Sequence, residues 1–86
     1  RLSVRERPYV VVFHESVSGL EPASVVEYKG VPIGAVRDIR LRAGTVDEVE
    51  VVLGVRADIP IKADMRAQLR AQGITGLYQL ELVGGT

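Results

Sequence analysis

From Val49 onward, every second residue of the stretch Val46 to Arg56 is a large aliphatic. Val49, Val51, Leu53 and Val55 alternate with Glu50, Val52, Gly54 and Arg56. A period of two places the four on one face of an extended strand, whereas a helical repeat of 3.6 would scatter them around its axis. Other stretches behave in the same way. Tyr9 to Phe13 is β-branched and aromatic, follows Pro8, and reads as a buried strand. Val25 to Tyr28 is a short strand. Ala35 to Arg42 alternates, with Arg37, Ile39 and Leu41 on one face and Val36, Asp38, Arg40 and Arg42 on the other, which predicts a half-buried strand with an arginine-rich outer edge. Leu77 to Val83 places Tyr78, Leu80 and Leu82 together. Gly54 inside the long strand predicts a bulge.

The intervening segments carry turn chemistry. Ser16 to Ser24 and residues 57–64, ADIPIKAD, read as loops. Gly30 marks a tight turn, and Pro32 and Gly34 punctuate the return from it. Ala43 to Thr45 and Gly73 to Gly76 are further turns. Met65 to Gln72 is ambiguous. Asp64 and Gly73 suit the two caps of a short helix, and Met65 and Leu69 sit one helical turn apart. Yet Met65, Ala67, Leu69 and Ala71 also alternate with Arg66, Gln68, Arg70 and Gln72, and eight residues is an ordinary strand length. Six or seven short strands joined by regular turns describe an all-β domain, a small barrel or a sandwich.

Composition removes several function classes. With 86 residues the chain is one domain, and a domain of this size buries so modest a share of its surface that assembly with further copies would help it. Eleven basic and eleven acidic side chains give zero net charge, without the basic excess of a nucleic-acid binder. There is no cysteine, so disulfides and thiolate chemistry are excluded. No apolar run approaches the roughly 20 residues of a membrane-spanning helix. The chain opens on Arg1, not methionine, and is expected to be part of a longer protein. His14, Glu15 and Ser16 are neighbours, but adjacent strand residues face opposite ways and cannot converge. One histidine cannot assemble a zinc site, and no serine sits in an elbow motif. The expectation is a protein that is not an enzyme and needs no cofactor.

Three segments, in order, resemble the MCE family, which includes MlaD-like and PqiB-like proteins. They are FHESVSGL at Phe13 to Leu20, VEYKGVPIGAV at Val26 to Val36, and QGITGLYQLEL at Gln72 to Leu82. The resemblance runs from about Tyr9 to Gly85. It implies a seven-stranded β barrel spanning residues 8–86, which makes a strand of Met65 to Gln72, with residues 1–7 leading back toward an inner-membrane anchor. It implies a homohexameric ring in the parent protein, with a hydrophobic pore that passes phospholipids or related lipids between membranes. Partners would be the permease and ATPase of an ABC transport system, on the periplasmic side of the bacterial envelope. The isolated stretch is expected to stay monomeric, because the missing flanks would supply ring contacts.

By motif position the pore loop is Gly73, Ile74, Thr75, Gly76 and Leu77. Two large aliphatics in a turn are unusual, since turns are normally polar. Repeated by symmetry, Ile74 and Leu77 would keep acyl chains dry, worth about 25 cal/mol per Å². The alternative is that both fold back and plug the barrel end. The glycines at 30, 34, 73 and 76 are expected at turns. Arg37, Arg40, Arg42, Arg66 and Arg70 interleave with Asp38, Asp47, Glu48 and Glu50, either as a solvated mixed-charge surface or as a subunit interface. The competing function is a structural or adhesive β domain that oligomerises at a cell surface.

Overall fold

The aliphatic alternation of Val49 to Val55 forms the centre of the fold. A computed structural model describes residues 5–85. Its strands are β1 (Glu6–Phe13), β2 (Val25–Tyr28), β3 (Val31–Leu41), β4 (Val49–Arg56), β5 (Arg66–Ala71) and β6 (Tyr78–Val83). They form one sheet in the order β1-β4-β3-β2-β6-β5. All neighbours are antiparallel except β2 and β6, which run parallel. The sheet curls around Val26, Val36, Val51, Leu53, Val55 and Leu80, all at 1% exposure or less. Six strands in a half-barrel stand where the resemblance implied seven in a barrel, and the all-β class holds.

Strand pairing settles the ambiguous segment. Arg66–Ala71 is a strand because β6 offers it a full ladder from Arg66↔Val83 to Ala71↔Tyr78. Helix propensity is worth tenths of a kcal/mol per residue, and burying Ala67 and Leu69 on the sheet's inner face outweighs it.

Three local expectations change. Tyr9–Phe13 is not buried on both faces: β1 is an edge strand, and Val10 is 53% exposed. The bulge lies in β3, where the register jumps from Val36↔Leu53 to Asp38↔Val52 and skips Arg37. The jump brings Val36 and Ile39 to the same inner face, contrary to simple alternation. Gly54 sits in regular register with Pro8. The Glu6–Arg37 ion pair lies over it, so a Cβ there would displace the Glu6 carboxylate. Gly34 is likewise no turn residue. It lies within β3, and a Cβ there would collide with the carbonyl oxygen of Gly54. The turn itself is Lys29–Gly30, both at positive φ (52° and 81°), closing Tyr28 onto Val31 as a two-residue hairpin.

Strand directions sort the loops. Segment 14–24, the β3–β4 hairpin tip and segment 72–77 gather at one end of the sheet. The Lys29–Gly30 turn and segment 57–65 lie at the other.

Candidate functional site

The segment joining β5 to β6 is a small closed loop. Gln72 N donates to Leu77 O (2.9 Å), so Gly73, Ile74, Thr75 and Gly76 protrude beyond that bond. Gly73 and Gly76 have φ of 64° and 79°, a region that glycine enters without cost. The Thr75 hydroxyl donates to Gln72 O (2.9 Å) and accepts from Leu77 N (3.3 Å). Thr75 is therefore a brace inside the loop, and only its methyl group is free to line anything.

Ile74 is fully exposed at the tip (103%). It does not fold back onto the barrel end. Leu77, at 42%, borders a hollow of about 220 Å³ with Pro22, Val25 and Tyr78. Held in water by a braced loop, Ile74 gives the fold no apolar burial.

The loop is also anchored from outside. Tyr78 N donates to Gly19 O (2.9 Å), which ties its base to segment 14–24. Gly19 has φ of 93°, and a Cβ there would meet Tyr78 Cδ1 at 2.6 Å and Gly76 O at 2.7 Å. Gly19 was not among the residues singled out in the sequence, although it falls in one of the quoted segments. The Gly19→Ala variant is expected to displace the loop and lose about 1–3 kcal/mol, from backbone strain and overpacking together. Gly30→Ala, at similar φ in open space, supplies the strain-only control. Amide chemical shifts of residues 73–77 should move for the first and stay for the second.

A second cluster lies at the same end. His14 Nε2 donates to Glu48 (2.9 Å), Arg42 bridges Glu48 and Glu50 (3.2 and 3.6 Å), and Arg40 bridges Glu50 and Asp38 (3.0 and 3.2 Å). These arginines are partnered within the chain on an exposed face, as in a mixed-charge surface. The His14 hydrogen bond, opposed by desolvation and helped by the Arg42 charge, holds the Glu48 carboxyl below its ordinary value. A depressed carboxylate contributes stability above its unfolded pKa and loses it as pH falls through the folded one. Removing His14 with His14→Ala should raise the Glu48 pKa toward the ordinary carboxylate value, read by carboxyl NMR titration. No movement would assign the shift to Arg42. Ser16 takes no part in this cluster, and its hydroxyl caps the Ser18 amide. Among the described residues no group of three or more His, Cys, Asp or Glu could hold a metal ion.

The family profile described as MlaD protein matches residues 5–85. The chain belongs to the MlaD family. This MCE family is generally related to lipid transport and is found in the bacterial cell envelope. An uncharacterized protein of Bradyrhizobium diazoefficiens is 32% identical to the MlaD-family chain over 77 residues, which cover 90% of this chain and 21% of that protein. The chain thus spans only a small part of the length of that curated relative. No helix among the described residues is long and apolar enough to cross a membrane.

Proposed function

We propose that copies of this MlaD-family domain assemble as a homohexameric ring whose hydrophobic pore is lined by the 72–77 loops. Phospholipids or related lipids pass through that pore between membranes. The ring belongs to a longer, inner-membrane-anchored parent that works with an ABC permease and ATPase on the periplasmic side. The observation that carries the reading is the exposure of Ile74 at the tip of a loop braced by Thr75 and clamped through Gly19. Six such side chains around an axis would give an acyl chain an apolar collar. Each isoleucine buried against a tail contributes about 1.5–3 kcal/mol. Leu77 extends the collar toward the loop base, and Gly73 and Gly76 shape the turn that presents it.

The test places a photo-crosslinking amino acid at Ile74 or Leu77 in the full-length parent in cells, with Lys29 at the opposite end as the control. Lipid adducts are expected at Ile74, fewer at Leu77, and none at Lys29. An assembled protein with no adduct at any position would instead be a structural or adhesive oligomerising domain.

A further inference from the structure

The neutral total of the chain hides a separation of charge. The Lys29–Gly30 turn, segment 57–65 and the first residues of β1 and β5 share the end of the sheet opposite Ile74. Arg5, Arg7, Lys29, Lys62 and Arg66 all lie at that end. All five are exposed, and none forms an ion pair among the described residues. Lys29 rests 5.7 Å from the centroid of the Tyr28 ring, a contact that leaves its positive charge in place. The carboxylates of that end are engaged within the chain. Glu6 holds Arg37, Asp58 holds Arg56 (2.9 Å), and Asp64 accepts the Gly85 amide (3.1 Å). Glu27, the next nearest, stands within β2 and is half-buried.

The loop end is the reverse. Glu15, Glu21 and Asp47 are exposed there and form no ion pair among the described residues. Arg40, Arg42 and Arg70 each hold a carboxylate of their own chain. Unpaired cations therefore collect at one end and unpaired carboxylates at the other.

The layout of the cationic end favours one kind of partner. Its cations come from four separate segments, so no single fork gathers them, as tight recognition of one carboxylate or phosphate would need. Exposed apolar residues stand among them: Val31, at 57%, is two residues from Lys29, and Pro60 is two residues from Lys62. Dispersed basic side chains around small apolar tips complement a broad anionic surface with an apolar layer just beneath it. A bilayer containing acidic phospholipids is such a surface. The acidic end of a second copy offers three free carboxylates for five cations.

We infer that the end carrying Lys29 and Lys62 docks on an anionic bilayer surface, with the cations among the headgroups and Val31 settling into the headgroup layer. The acidic end is repelled by the same surface, so the charge separation also sets which end of the domain faces the membrane. No lipid leaves the bilayer in this contact. Neither the ring nor the pore enters it, so either reading can fail and leave the other standing.

The test adds the 86-residue chain, which has no helix among its described residues able to cross a membrane, to phosphatidylcholine vesicles with and without phosphatidylglycerol. Cosedimentation reads the binding, and amide spectra confirm the fold. Binding is expected to the anionic vesicles alone and should vanish in about 1 M salt, where the Debye length is about 3 Å. Each lysine near the surface is worth about fivefold, so Lys29→Asn combined with Lys62→Gln should lower the partition coefficient about twentyfold. Asparagine is chosen because it tolerates the positive φ of position 29 (52°). Ile74→Asp, at the other end, should leave binding unchanged. Amide signals of residues 29–31 and 61–62 should broaden first, and those of 73–77 last. The inference is overturned if the two vesicle types bind equally, if the double variant binds as well as the parent, or if residues 73–77 broaden first. It also falls if vesicles bind neither form while the chain self-associates in low salt and the double variant does not. That result would make the cationic end a contact with the acidic end of a second copy.

Discussion

Aspartate at position 74 is expected to leave folding stability within about 0.5 kcal/mol of the parent, the ordinary range for an exposed site, while abolishing lipid passage. Ile74 makes no burial contribution to the fold, so the fold loses nothing by its removal. A ring of carboxylates at the same height would face an acyl chain with charges that cannot be desolvated cheaply. Each subunit would also forfeit the roughly 1.5–3 kcal/mol its isoleucine contributes to the collar. With the photo-crosslinker moved to Leu77, the lipid adduct should disappear from Ile74→Asp, and movement of lipid between the two membranes should stop. An unchanged adduct yield, in a ring of unchanged mass, would show that lipid does not pass this loop.

The second large effect is on stability. Leu80 is fully buried in β6, opposite Val26 of β2 on one side and Leu69 of β5 on the other. Leu80→Ala removes the side chain that packs these three strands together and should cost about 2–5 kcal/mol, transfer and cavity contributions combined. A small domain has about 5–15 kcal/mol in all, and this one's size puts it toward the lower end. The urea midpoint should fall sharply with little change in slope. Because β5 and β6 carry the 72–77 loop, that loop should lose its order in the same transition. A loss below about 1 kcal/mol would mean that the site collapses around the gap.

What could be read from the sequence follows from how far each signal reaches. The inner face of β4 was plain in Val49, Val51, Leu53 and Val55, because a two-residue period is local and one face of the strand is buried. The bulge was placed at Gly54 because glycine is a local sign of strand irregularity, whereas nothing local marks Arg37 as the extra residue. One extra residue in β3 swaps every later side chain to the other face, and only the partner strand fixes where it occurs. Met65 to Gln72 could not be resolved without knowing that β6 pairs with it. At the candidate site, Ile74 and Leu77 stood out as aliphatics in a turn. Gly19 did not, since its carbonyl meets Tyr78 from across most of the chain. The half-burial of Tyr9 and Val11 was invisible for a similar reason. Whether Tyr9 and Val11 are covered depends on whether the two edge strands meet, and no local pattern encodes that.

The parallel contact of β2 with β6 sets an order of events during synthesis. On the side of β2 away from β3, Val26 pairs with Leu80 and Tyr28 with Leu82, more than fifty residues later. The hairpins β2–β3 and β3–β4 can form early, because their partners follow closely, and β1 can then join β4. One side of β2 must wait in water, its amides unpaired, until β6 has left the ribosome. Distant pairings of this kind carry the loop-closure entropy that slows β proteins. A nascent chain stopped before Tyr78 would therefore present an open, aliphatic strand edge to chaperones and proteases, and to other unfinished copies of itself.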